Sequence, residues 1–398
     1  MLRNLFLHHV AQTSPAPLML EIDHAEGHYL HTTDGKKYLD LISGIGVSCL
    51  GHRHPVIIEA IREQTEKYLH TMVYGEYVLS PQVKLSKLLT SHLPASLDCV
   101  YFVNSGAEAT EGAMKLAKRF THRYEIIACR NAYHGSTQGA ASLMSDPTYT
   151  QAYRPLLPGI SFIDFNREAD LEKITQRTAA VVMEVVQAEA GVRLPDKEYL
   201  LKLRQRCDEV GAMLVFDECQ TGFGRTGTLF AFEQYGIVPD ILTLAKGMGG
   251  GMPIGAFVSS KACMSTLSHD PVLGHITTFG GHPVSCAAAL ATLETLLSEQ
   301  WISRVKEKEQ LFKSLLQHPS IREVRSAGLM IAVELDSFET VLRVCEACME
   351  RGLIVDWFLF NPNCLRIAPP LTITEEEIRW AAKVCTDIMM YLYNDVLI

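Results

Sequence analysis

Apolar positions along this chain fall into two rhythms. From about residue 99, short apolar runs alternate with longer stretches in which apolar residues recur every three or four places. Cys99-Val100-Tyr101-Phe102-Val103 reads as a strand and 107–119 as a helix; Ile126-Ile127-Ala128-Cys129 and 179–186 read as further strands. A helix at 196–210 leads into the strand Ala212-Met213-Leu214-Val215-Phe216-Asp217, and strands at 241–245 and 254–259 complete the series. Apolar strands alternating with helices predict an α/β fold with a mostly parallel central sheet covered on both faces. Before this series, a helix is expected to start after His54-Pro55, with proline in its first turn. Small β elements are expected around the turn signal Asp34-Gly35. After about 284 a long helix and a mixed region predict a second, smaller α/β unit. The resulting division is 1–50 as arm and part of the small domain, 51–285 as large domain, and 286–398 as C-terminal small domain.

Composition narrows the function classes. The 398 residues carry a net charge of −9, which argues against a general nucleic-acid or membrane-surface binder. No apolar run approaches the roughly 18 residues of a membrane span. The opening Met1-Leu2-Arg3-Asn4-Leu5-Phe6-Leu7-His8-His9 has too short an apolar centre for a secretory signal. Eleven cysteines without a framework fit reduced thiols and a cytoplasmic location. Cys345 and Cys348 form a C-x-x-C pair with no second pair nearby, read as core packing, and His31, His52 and His54 lack zinc spacing, so no metal site is expected.

Chemistry concentrates at strand ends. Lys246 follows the strand 241–245 and precedes a glycine-rich turn; a lysine there either faces solvent or is desolvated and becomes a Schiff-base nucleophile. Asp217 ends an earlier buried strand, where it either holds a proton on a heterocyclic nitrogen or caps the next turn. Asn104-Ser105-Gly106-Ala107 joins a strand to a helix and offers backbone amides for a phosphate, or is an ordinary turn. Tyr133, in Ala132-Tyr133-His134-Gly135, either covers a flat ring or is simply packed. Gly222-Phe223-Gly224-Arg225-Thr226-Gly227 matches the dinucleotide glycine pattern, but it does not open a helix directly after a first strand, so that reading is rejected.

Several ordered segments together resemble the class III, or ω-amino-acid, aminotransferases, which are pyridoxal phosphate enzymes of fold type I. They include Gly44-Ile45-Gly46-Val47, Leu50-Gly51-His52-Arg53-His54-Pro55, Asn104 to Ala109, Tyr133-His134-Gly135 and Gln187-Ala188-Glu189-Ala190-Gly191. They continue with Asp217 to Gly227, Ala245-Lys246-Gly247, Thr277-Thr278-Phe279-Gly280-Gly281 and Leu365-Arg366-Ile367-Ala368-Pro369-Pro370-Leu371. The resemblance is strongest to the acetylornithine and ornithine branch. It implies Lys246 as the Schiff-base lysine and proton carrier, and Asp217 as partner of the pyridine nitrogen. It implies Ser105, Gly106 and Ala107 as phosphate cradle, Tyr133 stacked on the ring, Gln220 at the ring hydroxyl and Glu184 near the cofactor. Thr278 would be a phosphate ligand given to the neighbouring subunit of a homodimer.

For substrates, the resemblance implies Arg366 as the site of the 2-oxo acid carboxylate, with Glu189 pairing it when an ω-amine donor is bound. The expected reaction moves an amino group from acetylornithine, ornithine or a similar donor to 2-oxoglutarate. Alternatives are 4-aminobutyrate or lysine transamination, a pyridoxal phosphate aminomutase, or a cofactor-binding module without turnover. One departure concerns the donor: Ser136 stands where that branch usually has arginine, so either Arg154 or Arg130 compensates or the donor differs. His282, where asparagine is common, is a smaller departure.

Overall fold

The computed structural model describes residues 1–395. Its centre is a seven-stranded sheet built from β1 (Cys99–Val103), β2 (Glu125–Cys129), β3 (Ile160–Ile163), β4 (Thr178–Glu184), β5 (Met213–Asp217), β6 (Ile241–Leu244) and β7 (Gly255–Ser259). The spatial order is β1-β7-β6-β5-β4-β2-β3. β7 runs antiparallel to β1 and β6, and all other neighbours are parallel, so six strands share one direction. β4 and β5 are buried along their whole length, as expected when helices cover both faces.

The strands expected from the sequence match six of these within a residue or two. The edge strand β3 was not expected; half of its four residues are only partly buried and one is exposed, which blurs the apolar signal. The helix after β1 is α1 (Gly106–Thr121). Ser105 caps it by accepting from the Glu108 amide at 3.2 Å, while the Glu108 carboxylate accepts from the amide of Asn104, one residue before the cap, at 2.6 Å. α2 (Lys197–Val210) stops at Gly211, whose φ of +68° closes the helix in the left-handed region. α3 (Pro283–Ser298) begins with the proline the sequence places after His282.

Two smaller sheets flank the centre. One is formed by Ile22–Glu26, Tyr29–Thr32 and Lys37–Asp40 with Leu353–Ile354, the last pair being parallel. The other contains β8 (Glu323–Ser326), β9 (Ile331–Glu334), β10 (Asp356–Phe358) and β11 (Asn361–Ile367) in the order β8-β9-β11-β10. Helix α4 (Phe338–Glu350) lies between β9 and β10 in the chain and buries Val341, Val344 and Cys348, so the C-x-x-C pair contributes to core packing. Among the described residues no helix is long and apolar enough to cross a membrane.

α1 approaches the sheet closely because its inner face is small: Ala109, Gly112, Ala113 and Ala117 are all buried. A Cβ on Gly112 would lie 2.3 Å from the ring of Phe257, which is fully buried and stacked on Tyr101. Gly112→Ala gains about 1 kcal/mol of helix propensity but forces that pinned ring aside at about 1–3 kcal/mol. The expected outcome is a net loss of up to about 2 kcal/mol, read from the urea unfolding midpoint.

Candidate active site

The carboxyl ends of the parallel strands converge on one cleft of about 240 Å³. Ser105, Gly106 and Ala107 enter it from the end of β1, Tyr133 and Ser136 from the loop after β2, Asp217 from β5 and Lys246 from just beyond β6. This is where ligands collect in open α/β sheets. Lys246 holds a φ of +48°, the left-handed region that a non-glycine residue occupies only when its surroundings impose it. Gly106 has no room for a side chain: a Cβ would sit 2.9 Å from the Cys219 sulfur. Gly135 has a φ of +126° and would drive a Cβ to 2.5 Å from that of Ala107, so the Tyr133 loop and the α1 N-terminus are in direct contact.

Asp217 is buried, and its carboxylate is held on both oxygens. Oδ2 faces His134 Nδ1 at 2.7 Å and Oδ1 accepts from the Cys219 amide at 3.0 Å. Burial pushes this carboxyl up, but the His134 hydrogen bond and charge, with the Cys219 amide, outweigh it and hold Asp217 below the ordinary carboxylate value. Burial likewise pulls His134 down, while Asp217 and Glu184 pull harder and raise it above 6.5. In the sequence His134 is only part of the Tyr133-His134-Gly135 motif; its signal there is a lone imidazole beside an aromatic residue just past a buried strand.

Glu184 ends β4 and serves the backbone: Oε1 accepts from the Tyr133 amide at 3.1 Å and Oε2 from the Ala188 amide at 2.9 Å. Burial first, and the Asp217 charge next, push it up to about 7 against the pull of His134. The side chain of Ser136 meets the Tyr133 hydroxyl at 2.9 Å. Thr278 is exposed and does not line this cleft. Arg130 pairs with Asp164 at 3.2 Å and is not among the cleft residues.

A second charged group lies close enough for its acid, Glu189, to feel the charge of Lys246. Arg366 on β11 donates Nη1 to Glu189 Oε1 at 2.9 Å and Nη2 to Oε2 at 3.2 Å, a buried bidentate pair. Glu189 also accepts from Gln220 Nε2 at 2.9 Å and from the Leu359 amide at 3.1 Å. Burial pushes Glu189 up, but Arg366, Gln220 and the Leu359 amide together hold it below its ordinary value. Gln220 therefore spans from the strand-end loop of Asp217 to the Arg366 pair. Asp356 lies 3.0 Å from Arg366 Nε, a meeting that no sequence spacing predicts.

The residues fit a phosphorylated pyridine aldehyde. α1 offers first-turn amides for the phosphate. Asp217 uses one bond per oxygen and retains lone pairs for a ring N–H. Lys246 lines the same cleft.

His134→Ala leaves Asp217 buried without its cationic partner, and about 3 kcal/mol of stability is expected to be lost near pH 6. The Asp217 part of the pair is present above about 3.8 and lost in acid. The His134 part is full below 6.5 and lost as pH rises through its raised pKa, so the gap to wild type narrows toward alkaline pH. Urea unfolding of both proteins across pH measures this.

Comparison with known proteins gives a consistent result. Residues 10–389 match the family model described as Aminotransferase class-III. The chain is 41% identical over 365 residues to acetylornithine aminotransferase of Methanocaldococcus jannaschii, covering 89% of each. It is 39% identical to putrescine aminotransferase of Pectobacterium atrosepticum, covering 90% of this chain and 80% of that one. The solved structure of Toxoplasma gondii ornithine aminotransferase, with partially occupied PLP in its active site, superposes with a TM-score of 0.91 at 29% identity, over 98% of this chain and 94% of that one.

Proposed function

The chain belongs to the class-III aminotransferases, and from that premise we propose that it transfers an amino group from an ω-amino donor of the acetylornithine or ornithine type to 2-oxoglutarate. It is a pyridoxal phosphate-dependent transaminase of fold type I. The observation that carries the substrate reading is the buried Glu189–Arg366 pair, tied through Gln220 to the loop that follows Asp217.

Bound pyridoxal phosphate supplies an aldehyde for the amine and a ring that accepts the electrons of a developing carbanion. Lys246 would hold the cofactor through its Nζ and would carry a proton at that atom during turnover. Asp217, kept ionised by His134, would keep the ring nitrogen protonated. Ser105, Gly106 and Ala107 would receive the phosphate, Tyr133 would stack on the ring and Gln220 would serve the ring hydroxyl. Glu184 fixes the Tyr133 loop through its amide. Arg366 takes the acceptor's carboxylate on the Nη edge that Glu189 otherwise fills; with an amine donor bound, Glu189 closes back and keeps the guanidinium paired.

Thr278 completes the phosphate site of a neighbouring subunit in a homodimer. Support comes from the exposure of Thr278 and of apolar Ile276 and Phe279 beside it, alongside exposed Tyr77 and Val78. The division into 1–50, 51–285 and 286–398 is supported by the pairing of Lys37–Asp40 with Leu353–Ile354. Eleven cysteines, all free, support a reducing, cytoplasmic setting.

A second donor reading has its own support. Ser136 is hydrogen-bonded to Tyr133 and supplies no charge for a donor's distal carboxylate, which favours a diamine of the kind named in the putrescine aminotransferase relative.

Lys246→Ala is expected to lose at least about four orders of magnitude in turnover while a bound cofactor remains detectable by its visible absorbance. Full turnover in that variant would end the assignment. Acetylornithine, ornithine, 4-aminobutyrate, lysine and putrescine with 2-oxoglutarate separate the donor readings. Under the first, acetylornithine ranks highest and Ser136→Arg changes little. Under the second, putrescine ranks highest and Ser136→Arg raises kcat/KM for acetylornithine about tenfold or more, the worth of one charge-assisted bond.

A further inference from the structure

Arg366 lies between two acids. Glu189 fills the Nη1 and Nη2 edge, and Asp356 Oδ1 lies 3.0 Å from Nε. Asp356 and Arg366 are register partners on β10 and β11, so the sheet itself sets them side by side. Neither Nε nor Oδ1 completes a hydrogen bond, which makes the contact one of charge. The rest of the guanidinium is also engaged: the Trp357 carbonyl accepts from Nη2, and the Phe358 ring lies 4.7 Å away. One cation between two carboxylates leaves a surplus negative charge when all three are ionised, in a place where only 23% of the Asp356 side chain is exposed.

We propose that Asp356 is a specificity-determining residue: its charge weakens the hold of Arg366 on an acceptor carboxylate and favours a cationic amino donor without a carboxylate, an aliphatic diamine. The inference rests on the reading that Arg366 receives the acceptor's carboxylate, and between the two donor readings it sides with the diamine. An incoming carboxylate replaces Glu189 on the Nη edge and meets the field of Asp356 through the same guanidinium. Like charges sharing one cation disfavour each other. A diamine brings the opposite sign, and Ser136 supplies no competing cation in the cleft. Both differences therefore shift the pocket toward positive ligands.

Asp356 is placed to modulate this near neutrality. Burial pushes its carboxyl up to about 7, Arg366 pulling it down while Glu189 and Asp40 push it further up. The ionisable groups around it are Arg366, Glu189, Asp40 with its partner His52 at 2.9 Å, and the thiol of Cys345 on α4, raised by burial. Below its pKa the protonated acid no longer opposes an anion; above it, it does.

The test is calorimetric titration of the cofactor-loaded enzyme with glutarate, an unreactive dicarboxylate, in wild type, Asp356→Asn and Arg366→Lys at about pH 6 and 8. Asp356→Asn is expected to bind glutarate about tenfold more tightly than wild type at the higher pH, with the two converging at the lower. Equal or weaker binding by Asp356→Asn overturns the proposal. Should that variant not fold, a wild-type affinity that does not fall from the lower to the higher pH overturns it equally. If Arg366→Lys binds glutarate as well as wild type, what fails is the assignment of Arg366 to the acceptor, a separate result.

Discussion

Asp217 is a carboxylate removed from water, and most of the site follows from that constraint. A buried anion has to find its hydrogen bonds inside the protein, and here they come from His134 and the Cys219 amide. Because His134 must reach β5 from the loop after β2, the loop has to fold inward. Glu184 anchors that loop at the Tyr133 amide, and Gly135 lets it lie against the start of α1. The same contact fixes where the α1 amides and Tyr133 stand relative to Asp217. Loss of the imidazole would disturb more than one side chain.

Much of this was legible in the sequence, for identifiable reasons. Strands buried on both faces are continuous apolar runs, so β1, β2 and β4 to β7 stood out. A polar residue at the end of such a run, as at Asp217, or just past it, as at Lys246, is conspicuous because burial there needs compensation. The edge strand β3 was invisible because it is only partly covered. The pairing of Glu189 with Arg366 came from resemblance alone, since 177 positions separate them and only the fold joins them. Asp356 had neither resource. Its meeting with Arg366 is a matter of strand register in a short hairpin, and one residue of slip would turn it to the other face.

Both charged groups of the site place one cation between two carboxylates. Around Asp217 the imidazole of His134 is hydrogen-bonded to that carboxylate and lies in the field of Glu184, and Asp217 is held below the ordinary carboxylate value. Around Arg366 the guanidinium is shared between Glu189 and Asp356.

The parallel pairing of Lys37–Asp40 with Leu353–Ile354 has a consequence for biosynthesis. This hairpin lacks its outermost neighbour until more than three hundred further residues have been translated. The central sheet, contained within 99–259, emerges entire well before that and is free to collapse first. The outer edge of the hairpin therefore stays open until Leu353–Ile354 arrives to cover it.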